Sequence, residues 1–118
     1  MTSTATTSTP ASNVHKWRTM FLAGAVLTHN VHILVDTSAT HNILDINFSW
    51  LAGLMEQCIN TMILMHSDNE IAYWGACFNM PLQIDSETFQ IDALLWDLGI
   101  NVDIILGTPW MADLDNIL

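Results

Sequence analysis

Apolar residues in this chain come in short runs separated by small polar clusters, a pattern of strands joined by tight turns rather than of long helices. Thr19 to Leu27 is a strand candidate, Thr28-His29-Asn30 a turn, and Val31 to Val35 a nearly continuous apolar run. Such a run suits a buried strand, and its period fits a short buried helix as well. Asp45 to Leu54 reads as a short helix, with Asp45 as cap and Phe48, Leu51 and Ala52 on one face. Met62 to Met65 and Ile71 to Trp74 flank the polar tip Ser67-Asp68-Asn69-Glu70, which predicts a hairpin whose second arm continues through Cys77, Phe78 and Met80 to Ile84. Asp85-Ser86-Glu87 forms another tip. Beyond it Phe89, Ile91, Ala93 and Leu95 alternate with Gln90, Asp92 and Leu94, the period of a half-buried strand. Val102 to Leu106 is the last strand, and Thr108 followed by Pro109 opens a short helix reaching Leu114. No internal repeat is visible, and the sum is one small, mostly β domain with one or two short helices.

Composition sharpens this picture at the ends and the surface. Met1 to Asn13 is almost entirely Ser, Thr and Ala with Pro10, too polar to offset its ordering entropy, so residues 1–14 are expected to be a disordered lead-in and 15–118 the folded domain. Hydrophobic residues make up 51% of the chain and charged residues 12%, which excludes wholesale disorder and leaves apolar surface for a partner to cover. Twelve acids face two bases, Lys16 and Arg18, and the net charge of -10 repels phosphate backbones and anionic lipids alike. No direct nucleic-acid partner and no membrane is therefore expected. The stretch from Met20 to Val35 is broken by Thr28, His29, Asn30 and His32, short of the ~18 apolar residues of a membrane span. With no basic flank and apolar run of a signal peptide at the start, an intracellular, cytoplasmic protein is the expectation. Cys58 and Cys77 fit either a disulfide or two buried free thiols, and free thiols are the expectation.

Several residue types invite chemistry without supplying it. His29 and His32 lack a third ligand at usable spacing, so they read as polar turn residues, and no metal or cofactor is expected. Asp97, Asp103, Asp113 and Asp115 show no calcium-loop spacing and read as a solvated acidic face. Trp17, Trp50, Trp74, Trp96 and Trp110 read as core or interface residues, with Trp74 notable for lying on a hairpin arm.

The segment Ile33-Leu34-Val35-Asp36-Thr37-Ser38-Ala39-Thr40 is different: three apolar residues run into an acid followed by four small ones. A carboxylate at the end of a buried strand sits at the edge of low dielectric, where its ionisation is tunable, and small residues after it let the backbone approach a ligand or a second chain. Taken alone, the octet reads first as a strand ending in an ordinary capping Asp bonded to the turn amides.

Val35 to Asn42 resembles the hydrophobic-Asp-Thr/Ser-Gly-Ala/Ser-Thr-His-Asn block of retropepsin-like proteases encoded by Ty3/gypsy retrotransposons, especially plant ones. Trp50-Leu51-Ala52-Gly53-Leu54 resembles that family's helix ending in a Leu-Gly-Leu-like turn. Met80-Pro81-Leu82-Gln83-Ile84 is similar to its Val-Pro-Leu-x-Ile strand and Phe89-Gln90-Ile91-Asp92 to its Phe-x-Val-Asp strand. Asp103-Ile104-Ile105-Leu106-Gly107-Thr108-Pro109-Trp110-Met111 resembles its Asp-Ile-Val-Leu-Gly-x-x-Trp-Leu signature, in the family's order and spacing from about Thr19 to Leu114.

The resemblance implies a closed, barrel-like β monomer with a flap hairpin and one or two short helices, forming half of a two-fold dimer. It implies an aspartic endopeptidase cleaving peptide bonds in a polyprotein through a water held between two Asp36 carboxylates. One carboxylate would act as general base while the other, protonated, donates to the scissile carbonyl, which favours mildly acidic pH. Because the chain has one such block, the site would form across a homodimer axis. Thr37 would lock the two active-site loops together, Ala39 would sit under the carboxylate, and Thr40 would complete the loop. His41 would support it. Asp68, Asn69 and Glu70 would tip the flap, with Ile71 and Trp74 along the substrate groove, and Ile105-Leu106-Gly107 would brace the catalytic strand. The family has Gly where this chain has Ser38. A Cβ there threatens a clash or a displaced loop, so a catalytically inactive dimerisation or peptide-binding remnant is the alternative reading.

Overall fold

The computed structural model describes residues 19–61, 63–65 and 71–117. The expected disordered lead-in and the hairpin tip at Asp68, Asn69 and Glu70 lie outside the described residues, as does Trp17. Among the described residues the chain runs β1 (Thr19–Val26), β2 (His29–Asp36), β3 (Ile43–Asp45), α1 (Ile46–Leu51), a single 3-10 turn (Met55–Gln57) and β4 (Cys58–Ile59). It continues through β5 (Ile63–Met65), β6 (Ile71–Tyr73), β7 (Gly75–Ile84), β8 (Glu87–Trp96), β9 (Ile104–Leu106) and α2 (Thr108–Ile117).

Six of these strands close on themselves in the order β1-β2-β9-β3-β8-β7, with β7 returning to β1 through the pairs Ala25↔Gln83 and Val26↔Leu82. Closure removes the free edges that an open sheet would expose. β4 adds to the outer side of β7, and β5 with β6 forms a separate two-stranded sheet. The barrel is filled by the inward half of each alternating strand: Val31, Ile33 and Val35 from β2, Met80 and Leu82 from β7, and Phe89, Ile91, Ala93 and Leu95 from β8. Leu44, Ile104 and Leu106 complete it, all fully buried. Phe48 of α1 and Trp110 of α2 cap this core, the Trp110 ring meeting Phe89 edge-on at 5.7 Å between centroids. The seven β8 positions from Phe89 to Leu95 thus follow the predicted alternation, and Trp110 is the one described tryptophan that is buried.

The structure differs from the sequence expectations at several joints. The first turn is Leu27-Thr28, not Thr28-His29-Asn30: Val26 pairs with His29 across it, and Leu27 takes a left-handed φ of 55°. His29 and Asn30 are polar but are drawn into β2 by the continuous pairing with β1. The second tip is Asp85-Ser86, with Asp85 at φ 54° and Glu87 already paired with Ile84. The strand expected over Val102 to Leu106 is β9, Ile104–Leu106, and the final helix is longer than expected, running Thr108–Ile117.

Helix α1 ends three residues before Leu54, and Leu51 is 74% exposed rather than sharing a buried face with Phe48. The stop is a Gly-centred cap: Gly53 adopts φ 72°, its N–H reaches the Trp50 carbonyl at 3.2 Å, and the Leu54 N–H reaches the Ser49 carbonyl at 3.0 Å. Cys58 and Cys77 are a further correction. They face each other directly in the β4–β7 register, and their sulfurs are joined as a disulfide instead of standing as free thiols.

Candidate functional site

Asp36 is the last residue of β2, at the mouth of the barrel, where it is half-buried. Its strand lies between β1, antiparallel, and β9, parallel, with Ile33, Leu34 and Val35 opposite Ile104, Ile105 and Leu106. Parallel pairing makes β2 and β9 leave the barrel at the same end. The loop after Asp36 and the segment after Leu106 therefore meet.

Their meeting is close. A Cβ placed on Gly107 would stand 2.5 Å from the Ala39 carbonyl oxygen and 2.8 Å from that of His41, both backbone atoms, so only glycine fits. The Gly107 N–H donates to Asn42 Oδ1 at 2.9 Å and the Thr108 N–H donates to the Ala39 carbonyl at 2.9 Å. Asn42 is itself buried and donates through Nδ2 to the Asp92 carbonyl at 3.2 Å, while its own carbonyl accepts from the Leu94 N–H at 2.9 Å. One side chain thereby ties the Asp36 loop to β8 and to the start of α2. In the sequence Asn42 closed the motif without an assigned role. The signal available was an amide side chain between two strands where burial demands partners for all its polar atoms.

Within the loop, the Ala39 N–H returns to the Asp36 carbonyl at 3.1 Å, forming the turn. Asp36 Oδ1 accepts two hydrogen bonds from one residue: the Ser38 N–H at 2.9 Å and the Ser38 hydroxyl at 2.6 Å. A clash or a displaced loop was the risk expected from the Ser38 Cβ. Within the single chain Ser38 keeps a negative φ, since the non-glycine residues with positive φ among those described are Leu27, Asn79 and Asp85. A side chain at 38 thus imposes no backbone strain. Thr37 and Thr40 are exposed, and Thr40 Oγ1 lies 2.8 Å from His41 Nδ1, which fixes the imidazole against the loop as support.

Ile105 and Leu106 stand where a brace for β2 was expected, and Leu106 is fully buried. The predicted hairpin arms exist as β5 and β6, with Met65 opposite Ile71, and the second arm turns at Trp74 into β7. That arm is moored to β8: the Trp74 N–H donates to the Leu95 carbonyl at 3.0 Å, and the Trp96 ring meets both Tyr73 and Trp74 at 5.7 Å. Trp74 is 41% exposed.

Two acids hold the frame. Asp45, buried, caps α1 by accepting from the Phe48 N–H at 3.0 Å as expected, and its other oxygen accepts from the Leu98 N–H at 2.9 Å. Asp103 Oδ2 accepts from the His32 N–H at 2.8 Å while the Asp103 N–H donates to the His32 carbonyl at 2.9 Å, a reciprocal clamp between β2 and the entry to β9. His32 and Asp103 are thus structural partners rather than a turn residue and a free surface acid. Among the described residues no three His, Cys, Asp or Glu side chains converge as a metal site. The arrangement offers instead a single carboxylate in a fixed orientation at the end of a rigid floor.

Comparison with known proteins agrees with that geometry. The family described as "Retroviral aspartyl protease" matches residues 7–118. The fold is similar to the retroviral protease-like domain of Ddi1 from Leishmania major, with a TM-score of 0.67 and 14% identity over 80% of this chain and 76% of that one. It is similar also to a retropepsin-like aspartic protease from Rickettsia conorii (TM-score 0.56, 15% identity, 80% of this chain and 71% of that one). EIAV protease complexed with the inhibitor HBY-793 gives a TM-score of 0.56 at 13% identity, over 82% of this chain and 88% of that one. These likenesses show a retropepsin-like fold. No curated protein matches the sequence.

Proposed function

This chain belongs to the retroviral aspartyl protease family, and on that premise we propose that it is an aspartic endopeptidase acting as a homodimer, with Asp36 of each copy supplying one carboxylate. The observation that carries the reading is the locked Asp36 loop, held by Gly107, Thr108 and Asn42 with the carboxylate already oriented by Ser38. Retropepsins as a class work as dimers on polypeptides. Here Met20 and Phe21, which pair with Val35 and Leu34 just before Asp36, are 51% and 64% exposed, apolar surface that a second copy would cover.

Two carboxylates brought together across a two-fold axis cannot both carry full charge, so the pair shares one proton. The unprotonated Asp36 takes a proton from the bound water, whose oxygen attacks the scissile carbonyl carbon. The protonated partner gives its proton to the carbonyl oxygen. The tetrahedral intermediate then collapses as the amide nitrogen is protonated and the C–N bond breaks, releasing a carboxylic acid and an amine. The substrate binds as an extended strand, with the β5–β6 hairpin as a flap over it that excludes water. Asp68, Asn69 and Glu70 would form its tip and Ile71 and Trp74 its groove-facing arm. Thr37 of each copy would link the two loops across the axis. An origin in a Ty3/gypsy-type retrotransposon, with a polyprotein as substrate, fits the motif spacing.

The test is cleavage of a peptide library by the wild-type chain and by Asp36→Asn. Loss of at least about a hundredfold in kcat/KM is expected from removing the dyad's acid–base chemistry. Mixing equal amounts of the two chains should leave roughly a quarter of the wild-type activity, the share of pure wild-type dimers in a random two-fold assembly. Cleavage that survives Asp36→Asn excludes this mechanism.

A further inference from the structure

We infer that Ser38 is a positioning residue for Asp36, its hydroxyl fixing the plane of the carboxylate while its amide keeps the transferable proton on Oδ2; this rests on the aspartic endopeptidase reading of the same site. The observation is the convergence of two donors from one residue on one oxygen, the amide at 2.9 Å and the hydroxyl at 2.6 Å. Any residue at position 38 could supply the amide. Only a hydroxyl-bearing one supplies the second bond, and its length is that of a charge-assisted O–H to carboxylate contact.

The consequence follows from donor and acceptor rules. An aspartate carboxyl rotates broadly about its last torsion, so a carboxylate held by one amide still samples a range of planes. A second donor on the same oxygen, arriving from a different direction, removes much of that freedom. The Ser38 N–H can only donate, so Oδ1 is kept as an acceptor and a proton on Asp36 belongs on Oδ2. The hydroxyl donates while Asp36 is ionised and still finds a lone pair on Oδ1 when Oδ2 carries the proton. It therefore serves both halves of an asymmetric pair without moving. Because Ser38 is exposed and unstrained in the single chain, the hydroxyl's contribution is orientation, not fold.

The experiment compares wild type with Ser38→Ala, Ser38→Gly and Ser38→Thr, using peptide kinetics and the carboxyl carbon resonance of Asp36 in isotope-labelled protein, assigned by its absence in Asp36→Asn. Ser38→Ala and Ser38→Gly should lower kcat about ten- to a hundredfold, as a misplaced catalytic group does, with KM changed by less than about twofold. Ser38→Thr should stay near wild type. The Asp36 carboxyl resonance should move in the Ala and Gly variants and hold in Thr, with thermal midpoint and dimer mass unchanged in all. Ala or Gly variants that turn over as fast as wild type or faster, or an Asp36 resonance that does not respond to loss of the hydroxyl, overturn the assignment. Should wild type show no Asp36-dependent cleavage, the endopeptidase reading falls, while the resonance alone still decides whether Ser38 orients Asp36.

Discussion

The loop carrying Asp36 and the β5–β6 hairpin meet the barrel in opposite ways. Residues from Asp36 to Asn42 are held by bonds from residues far along the chain, among them Gly107 to Asn42 across 65 positions and Thr108 to Ala39. The hairpin has three facing pairs, Ile63↔Tyr73, Leu64↔Ala72 and Met65↔Ile71, in a sheet of its own. Its moorings are local: the Trp74 bond to Leu95, the rings of Tyr73, Trp74 and Trp96, and, on the other arm, the short strand β4. A segment braced by long-range contacts opens only when the whole fold does, whereas one moored at its base opens at lower cost. On the endopeptidase reading, a floor that holds a carboxylate to a fraction of an ångström and a flap that admits a peptide call for that division.

The largest effect expected from breaking it lies at the hairpin's root. β4 is two residues long, and the Cys58–Cys77 bond is its covalent tie to β7. A bridge closing a loop with a sequence separation of 19 stabilises by about 3 kcal/mol in the chain-entropy account. Reduction, or Cys58→Ala with Cys77→Ala, should therefore lower the thermal midpoint by on the order of 10 °C or more. Amides of residues 58–59 and 71–73 should exchange faster than those of β2 and β9. In a reducing compartment the bond would be open, so the same measurement compares the two states the hairpin root can occupy. Uniform acceleration across floor and hairpin would show that the two regions are one cooperative unit.

Second comes the floor itself. Gly107→Ala drives a Cβ against the Ala39 and His41 carbonyl oxygens, which are backbone and cannot turn aside. Overpacking of this kind costs about 1–3 kcal/mol, and the loop must shift to accept it. On the endopeptidase reading the outcome is a collapse of kcat with KM little changed, read by steady-state kinetics beside a melting curve. A stable Gly107→Ala protein of normal kcat would mean the brace does not set the carboxylate's position.

Parts of this were legible in the sequence because they are local or periodic. The β8 alternation, Asp45 as helix cap and Asp36 at a strand end each show in a few consecutive residues, whereas the Ile105-Leu106-Gly107 brace was implied only by resemblance to a family. What was missed needed the third dimension. His29-Asn30 looks like a turn in composition, yet ring closure between β1 and β7 carries the pairing through to Val26↔His29. The partnership of Cys58 with Cys77 depends on a register set by a strand of two residues, too short to leave a pattern. Asn42 ties elements 50 and 65 positions away, and no window of sequence contains both. The concern at Ser38 was a Cβ close to the carboxylates, a matter of what packs around the loop that no local pattern contains; within the single chain Ser38 keeps a negative φ.

The smallest effect, and the sharpest for the comparison, is at Trp96. Its ring contacts Tyr73 edge-on and Trp74 at a tilt, both at 5.7 Å, so it joins the hairpin's second arm to the end of β8 without touching the Asp36 loop's hydrogen bonds. Each aromatic contact is worth about 0.5–1.5 kcal/mol beyond burial, and Trp96 is 36% exposed, so Trp96→Ala should destabilise the fold by about 1 kcal/mol. The change should fall on the hairpin. Exchange at Tyr73 and Trp74 should quicken; on the endopeptidase reading with the hairpin as flap, KM should rise several-fold as the flap loses its preferred position and kcat should stay within about twofold, the signature of lost binding rather than lost chemistry. Gly107→Ala should give the converse pattern. If Trp96→Ala instead lowers kcat as deeply as Gly107→Ala while leaving KM alone, the hairpin positions the reacting groups as well, and the distinction between rigid floor and hinged cover does not hold.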